Sequence, residues 1–257
     1  QVREMLGAMP VPIQVPIGNE QDFKGVVDLV DNKAIVWNES DFGMTFEEVP
    51  IPDDLVDIVE EWRTHLIEAV AEYDESIMEK YFEDPDSISR EEVMAAIRAA
   101  TLDLSITPMM CGSAFKNKGV QAVLDAVCAY LPAPTDVEDI VGTNPDTDEE
   151  VVRKADVNEP FTALAFKIMT DPHVGRLCFF RVYSGVLQGG SYILNNRTGK
   201  KERISRIMQM HANKRNQLDC VEAGDIAAGV GFKDIRTGDT LSIVGSPIEL
   251  ESMDFPD

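Results

Sequence analysis

The apolar residues of this chain change their spacing near Glu159, and this change restricts the possible folds more than any other feature. Before Glu159 they recur every three or four residues over long stretches, which is the spacing of an amphipathic helix. After it they alternate with polar residues in short runs divided by glycine turns, which is typical of a closed antiparallel barrel. The sequence therefore predicts two domains of different class, 1–135 and 159–257, with the acidic, polar segment 136–158 as a linker.

The charge is divided just as unevenly. Residues 1–155 hold 11 Lys and Arg against 33 Asp and Glu, a net of −22, whereas residues 156–257 hold 12 against 13, a net of −1. A strongly negative field repels nucleic acid and attracts basic surfaces. We therefore expect the two halves to have different partners.

Composition excludes several other classes of protein. The 257 residues, 44% of them hydrophobic, are enough for two domains with cores of their own, and no apolar run approaches the roughly 18 residues that a membrane span needs. We expect no membrane partner. The four cysteines are widely spaced, with no Cys-x-x-Cys pair and no histidine cluster, so we expect no metal and a cytoplasmic location. The chain begins at Gln1 without an initiator methionine and is interpreted as a monomeric fragment.

The first half alternates short β-rich runs with helical patterns. Residues 23–30 and 33–38, joined by Asp31-Asn32, predict a hairpin, and residues 45–49 a third strand. A long helix is predicted from Asp53 onward. Its apolar face is formed by Leu55, Ile58, Val59, Trp62, Leu66, Ala69, Val70 and Tyr73. Its outward face carries the acids Glu60, Glu61, Glu68, Glu72 and Glu75. These acids fit either an ordinary solvated face or a docking surface for a basic partner.

Further along, Ser89 and Glu92 form a capping-box pattern that opens a second helix. After it, an apolar run from Ile106 to Cys111 leads into small residues and then a helical pattern from Val120. This order places a tight loop at the carboxyl end of a strand, where open α/β sheets bind ligands. Chemistry alone favours an ordinary strand-to-helix turn over a ligand site at this loop.

In the second half the predicted strands are 161–170, 176–184, 191–194, 201–210, 225–232 and 240–244. A basic stretch, 197–215, carries seven Lys and Arg against Glu202 alone, a net of +6 over 19 residues. Such a stretch fits either a solvated strand pair or a surface that neutralises phosphates.

Three groups of motifs resemble bacterial translation elongation factor G. GSAFKNKGVQ and the following LDAVCAYLPAP resemble the last guanine-recognition loop and final helix of its GTPase domain. GAMPVPIQVPIG and FKGVVDLV…AIVWN resemble the G′ segment inserted into that domain, and FTALAFKIMTDPHVGRLCFFRVYSGVLQGGSYILN resembles its β-barrel domain II, which elongation factor Tu also contains. The matches cover nearly the whole chain in family order. Paralogous GTPases of ribosome recycling, release or tetracycline protection are the alternatives within the class, and the LepA factor lacks such an insert.

The resemblance implies the C-terminal part of a P-loop GTPase domain with an α+β insert at about residues 10–105, followed by an elongation-factor-Tu-like antiparallel barrel. It implies a ribosomal translocase that uses GTP hydrolysis to move tRNA and mRNA and that, as a full-length protein, binds GTP or GDP with Mg²⁺. By the same resemblance, Ser113, Ala114 and Phe115 lie against the guanine base. The acids Glu60, Glu61, Glu68, Glu72 and Glu75 face the ribosomal stalk protein, and Lys200, Lys201 and Arg203 face small-subunit ribosomal RNA.

The motifs that hold the phosphates and read the guanine base do not occur in these residues: there is no G-x-x-x-x-G-K-[ST] and no Asn-Lys-x-Asp. Phosphoryl transfer depends on those groups. We therefore expect this chain alone to be no enzyme and to need no cofactor. His65, His173 and His211 form no triad pattern. A catalytically silent ribosome- or RNA-binding protein built from the same two domains is the alternative from another class.

Overall fold

A computed structural model describes residues 1–84, 87–171, 175–212 and 214–250. The chain divides into two compact units, Gln1–Pro132 and Ala133–Asp257. Among the helices in the described ranges, none combines the length and the apolar character needed to cross a bilayer.

The first unit combines a four-stranded antiparallel sheet, a parallel strand pair and a set of helices. Its elements are α1 (Val2–Leu6), β1 (Pro10–Pro12), β2 (Gln14–Ile17), β3 (Gly25–Asp28), β4 (Lys33–Trp37), β5 (Phe46–Val49), α2 (Val56–Val70), α3 (Glu75–Glu83), α4 (Arg90–Leu102), β6 (Thr107–Met109) and α5 (Val120–Tyr130), with 3₁₀ turns at Glu20–Asp22, Asp53–Leu55 and Ala71–Tyr73.

The predicted hairpin is present as β3 and β4. Asn32 has a φ of 53°, in the left-handed region that asparagine tolerates, and the carboxylate of Asp28 accepts the N–H groups of Val30 and Asp31 at 2.8 and 3.0 Å. In the sheet order β2-β3-β4-β5, β5 is the predicted third strand. Turn chemistry therefore sets this hairpin locally.

The helices pack on that sheet through a narrower face than the sequence predicts. In α2 the buried residues are Val59, Leu66, Ile67 and Val70, whereas Ile58 and Trp62 are 41% and 37% exposed. The prediction that both belong to the apolar face is wrong, because no neighbouring element in the described ranges covers that side of the helix. The capping box at Ser89 and Glu92 is confirmed at the start of α4. Helix α3 was not predicted; Asp74 caps it by accepting the N–H of Ser76 at 2.8 Å.

The second unit is all-β. Its strands are β7 (Ile140–Thr143), β8 (Glu150–Arg153), β9 (Thr162–Asp171), β10 (Gly175–Ser184), β11 (Val186–Gln188), β12 (Tyr192–Asn195), β13 (Lys200–Arg203), β14 (Arg206–His211), β15 (Lys214–Leu218), β16 (Cys220–Glu222), β17 (Ile226–Val230), β18 (Thr240–Ser242) and β19 (Glu249–Leu250). The segment 136–158 is not an unstructured linker: it contains the β7–β8 hairpin, and β19 pairs with β7. Its polar, exposed residues give no apolar alternation from which these strands could be predicted.

The large sheet has the order β13-β12-β18-β9-β10-β17-β14-β15 and closes on itself. Strands β13 and β14 are successive parts of one run of chain; the first pairs with β12 and the second with β17. At the bend between them, the N–H of Ile204 donates to Ser191 and that of Ser205 to Val230, so hydrogen bonding continues on both sides. The enclosed core includes Phe161, Phe180, Val182, Ile193, Ile207 and Leu241. This rolled sheet is the predicted barrel.

Candidate functional site

The loop after β6 forms a tight bend that projects outward. Strand β6 pairs in parallel with β1, and the loop leaves from its carboxyl end. Ser113 and Lys118 exchange two backbone hydrogen bonds of 2.9 and 3.0 Å, and the N–H of Asn117 donates to the carbonyl of Ala114 at 3.2 Å. The Phe115 side chain is fully exposed. The bend is therefore accessible to a ligand.

The three predicted guanine-edge residues differ in what they offer. The N–H of Ser113 is already used to close the bend. Those of Ala114 and Phe115 donate no hydrogen bond within the described part of the chain. Adjacent free N–H groups are the donors that an acceptor on a base or an anion needs. Of the three, Ala114 and Phe115 are the residues able to donate to a ligand, and Ser113 supports them.

Two glycines make the bend possible. A Cβ on Gly112 would lie 2.7 Å from the carbonyl oxygen of Lys118, which is closer than real Cβ contacts come. Gly119 has a φ of 82°, in the left-handed region, and leads directly into α5. These positions fix the shape of the loop at both ends.

Sequence reasoning missed the residue that ties this bend to the rest of the unit. The Lys118 side chain is buried, and its ammonium donates to the carbonyl of Phe23 at 2.9 Å and to the carboxylate of Glu39 at 2.7 Å. The ammonium also lowers the pKa of Glu39 below its usual range. Both partners are about 80 to 95 residues away in sequence, so no local pattern indicates them.

The acids of α2 line an open groove of about 650 Å³. Glu60, Glu61 and Glu68 line it together with Asp57, and the half-exposed indole of Trp62 lies edge-on to His65 with ring centroids 5.6 Å apart. Glu72 is exposed but does not line this groove. The Glu75 side chain lies outside what the structure describes. The residues that line the groove are Arg3, Asp57, Glu60, Glu61, Trp62, Thr64, His65 and Glu68.

Strand β13 presents three exposed cations of the basic stretch, Lys200, Lys201 and Arg203. The strand turns Glu202 inward, where its carboxylate accepts the N–H groups of Lys233 and Asp234 at 2.9 and 3.1 Å. The acid within the stretch is therefore used inside the barrel and does not face solvent.

Other cations of the basic stretch form ion pairs with acids of the second unit. Arg197 pairs with Asp239 at 2.6 Å and with Asp234 at 3.2 Å, and the hydrogen bond to Asp239 raises the pKa of the guanidinium. Arg215 pairs with Asp171. The sequence gives the net charge of this stretch but not which of its cations are free to meet a partner.

Metal and thiol chemistry has no support in the described ranges. They contain no group of three or more His, Cys, Asp or Glu residues arranged to hold a metal ion. The four cysteines are unpaired, and burial raises the pKa of the Cys111 thiol to about 11. His173 lies outside the described residues, and neither His65 nor His211 has a nucleophile as a hydrogen-bond partner within them.

Comparison with known proteins bears on both units. Residues 175–242 match the family Elongation factor Tu domain 2. Over all 257 residues the chain is 64% identical to an Elongation factor G of Amoebophilus asiaticus (strain 5a2), 64% to one of Cytophaga hutchinsonii and 53% to one of Karelsulcia muelleri. It spans only 36–37% of the length of these curated relatives.

A crystal structure from Thermus thermophilus has the same fold, with a TM-score of 0.74 over the whole of this chain and 35% of that one, at 23% identity. Together with the domain 2 match, this likeness confirms the predicted fold class. The Elongation factor Tu domain 2 match and the Elongation factor G relatives place the chain in the class of translation elongation factors. Within that class, the chain belongs to the elongation factor G family, of whose members it matches a section of about a third.

Proposed function

We propose that this chain supplies three working parts of a translational GTPase that moves tRNA and mRNA through the ribosome in the cytoplasm. The parts are a guanine-edge loop at residues 113–115, an acidic docking groove on α2 and a basic, RNA-facing strand β13. The observation that carries the proposal is the open bend after a parallel strand, in a chain 64% identical along its whole length to Elongation factor G.

We assign the bend to the edge of the purine base and not to the ribose or the phosphates of the nucleotide. Ala114 and Phe115 offer N–H donors to an acceptor such as the guanine O6, and the short side chain of Ala114 lets a flat base approach the backbone. When bound, GTP with Mg²⁺ supplies the energy of a phosphoryl transfer. Residues 1–257 contain no phosphate-binding motif, so their part in that reaction is to orient the base.

The test removes one donor in the full-length factor that carries this chain. Ala114→Pro eliminates the N–H, whereas Ala114→Gly keeps it and serves as the matched control. We expect GDP affinity to fall about tenfold with proline and little with glycine, because a missing hydrogen bond leaves a ligand acceptor unpaired. Titration calorimetry measures both. Equal affinity in the two variants contradicts the assignment of the edge.

The docking groove accounts for the acids on α2. An exposed indole among carboxylates suits a basic protein surface, because the ring supplies contact area and the acids supply attraction. We propose the basic domain of the ribosomal stalk protein as its partner, and small-subunit ribosomal RNA as the partner of Lys200, Lys201 and Arg203.

A catalytically silent interaction protein is the second candidate, and the exposed charged surfaces at α2 and β13 favour it. It shares every surface contact with the first candidate but needs no nucleotide. Guanine nucleotide binding by the full-length protein separates the two candidates, because the silent protein binds none. The 257-residue chain alone is expected not to bind GTP tightly under either candidate.

A further inference from the structure

The residues that follow the bend reach into the insert one after another. Lysine is rarely buried without a partner. Lys118 is only 1% exposed, and its ammonium has two partners, the carbonyl of Phe23 and the carboxylate of Glu39. These partners lie at the open end of the antiparallel β3–β4 hairpin, just before β3 and just after β4. One ammonium therefore holds both strands of the hairpin to the bend.

The two residues before Lys118 also contact the insert. The amide of Asn117 donates to the carbonyl of Phe42 at 3.2 Å, and the ammonium of Lys116 donates to the carbonyl of Gln21 at 3.2 Å. Together with Lys118, these consecutive residues thus reach four separate residues between 21 and 42. Such a set of contacts fixes both the position and the direction of the peptide that carries them.

A small hydrophobic cluster also contacts the loop. Phe23, Val26 and Trp37 form a small buried cluster against which Cys111 packs. A Cβ placed on Gly119 would lie 3.8 Å from the Trp37 ring, so Gly119 lies close to the indole. The two ends of the loop, Cys111 and Gly119, therefore rest on the same hairpin.

We propose that Lys118 and Glu39 form a brace through which the insert sets the conformation of the guanine-edge bend, so that Lys118 is a positioning residue for recognition of the base. The inference rests on the proposed function. The mechanical link is short: the carbonyl of Lys118 accepts the N–H of Ser113, which closes the bend beside Ala114 and Phe115. A shift of Lys118 therefore opens the bend and moves both donors.

The brace also reaches the surface of the protein. The Glu39 side chain is 72% exposed while its partner is buried, so one end of the contact is accessible from outside. Anything that binds or neutralises Glu39 acts on the bend through a single ion pair.

The test replaces Lys118 in the full-length factor. Lys118→Met keeps most of the volume and removes the charge, and we expect GDP affinity to fall about tenfold, the loss typical of one charged hydrogen bond. Glu39→Gln leaves the hydrogen bond from Lys118 to the carbonyl of Phe23 in place and is expected to weaken GDP affinity about threefold, because the glutamine oxygen still accepts from the ammonium but carries no charge. Lys33→Met is the matched control, because Lys33 lies on the same hairpin and pairs only with exposed Glu48 at 3.2 Å in the described ranges.

Base discrimination separates positioning from a purely structural role. The ribonucleoside diphosphate of 2,6-diaminopurine carries an amino group in place of the guanine O6. It therefore presents a hydrogen-bond donor to the N–H groups of Ala114 and Phe115. We expect the preference for GDP over this analogue to shrink in Lys118→Met. A variant that loses stability but keeps the full preference shows that Lys118 is only structural, and overturns the inference.

The outcomes distinguish the inference from its premise. A wild-type factor that does not bind GDP overturns the proposed function. A wild-type factor that binds GDP, with Lys118→Met and Glu39→Gln unchanged in affinity and preference, overturns the brace alone. If Lys118→Met does not fold, the exposed position of Glu39 leaves Glu39→Gln to decide, and an unchanged preference in that variant counts against the brace.

Discussion

At the scale of the residue, short-range chemistry is visible in the sequence and long-range chemistry is not. Ser89 and Glu92 are three positions apart, so their capping box was predicted and is present. The partners of Lys118 and Arg197 lie 37 or more residues away, and no local sequence pattern indicates them. A buried cation can be recognised only after the fold brings a carbonyl or carboxylate to it.

Glu92 gives a prediction at this scale. Its carboxylate accepts the N–H and hydroxyl of Ser89 at 2.8 and 2.9 Å and pairs with Lys80 at 2.6 Å, which lowers its pKa from 4.5 to about 2. A lowered pKa contributes stability that is present above pH 4.5 and is lost as the pH falls toward 2. We expect Glu92→Gln to be less stable than wild type at pH 7 and nearly equal to it near pH 2.

Chemical denaturation of the 257-residue chain at about pH 7, 4 and 2 measures this convergence. Glu91→Gln is the control, because Glu91 is exposed in the same first turn of α4 and its change leaves the capping box intact. A constant difference between Glu92→Gln and wild type at every pH is inconsistent with a charge effect.

At the scale of the element, the sequence predicts what an element is more reliably than what covers it. The helical spacing identifies α2 but also assigns Ile58 and Trp62 to its buried face, where the structure leaves them exposed. Strand β15 was missed for the opposite reason: Lys214–Leu218 is polar at nearly every position, and only pairing with β14 makes it a strand. Neighbouring elements decide both cases.

The groove on α2 gives the prediction at this scale. Charge reversal at Glu60 and Glu61 is expected to slow association of the full-length factor with the basic stalk domain about tenfold at low salt, because those carboxylates attract the partner before contact. The difference should narrow as salt is added. Stopped-flow association at several ionic strengths measures it.

Charge reversal at Glu79 and Glu83 provides the matched control. These acids are exposed on α3 and lie outside the groove, yet the change in net charge is the same. Equal slowing by both pairs indicates a general field and argues against a groove. If neither charge reversal slows association, the acids of the groove have no role in docking.

At the scale of the whole molecule, charge and architecture divide at nearly the same place. Residues 1–155 carry a net of −22 and residues 156–257 a net of −1, while the compact units meet between Pro132 and Ala133. The division into an α/β unit and a barrel was predictable because helical and strand spacings differ. The way in which the barrel closes was not predictable, because it depends on one run of chain that pairs with β12 through β13 and with β17 through β14.

RNA binding gives the prediction at this scale. With Lys200, Lys201 and Arg203 changed to Glu, the full-length factor is expected to bind ribosomes more weakly. The dependence of log affinity on log salt should flatten by about one unit for each phosphate that the variant no longer neutralises. A filter-binding series in salt measures the slope.

The matched control for this variant changes three exposed cations elsewhere in the same unit: Lys167, Lys233 and Arg236. It alters the net charge by the same amount but leaves strand β13 intact. Unchanged slope and affinity in the β13 variant exclude that strand as the RNA-binding surface.

The run from Lys200 to His211 joins the two ends of the rolled sheet, and this has a mechanical consequence for its cations. A force on Lys201 or Arg203 passes to β12 through their own strand pairing and to β17 along the continuous chain into β14, so the run is held at both of its ends. Stiffness of this kind suits a contact that must keep its alignment while a much larger assembly moves against it.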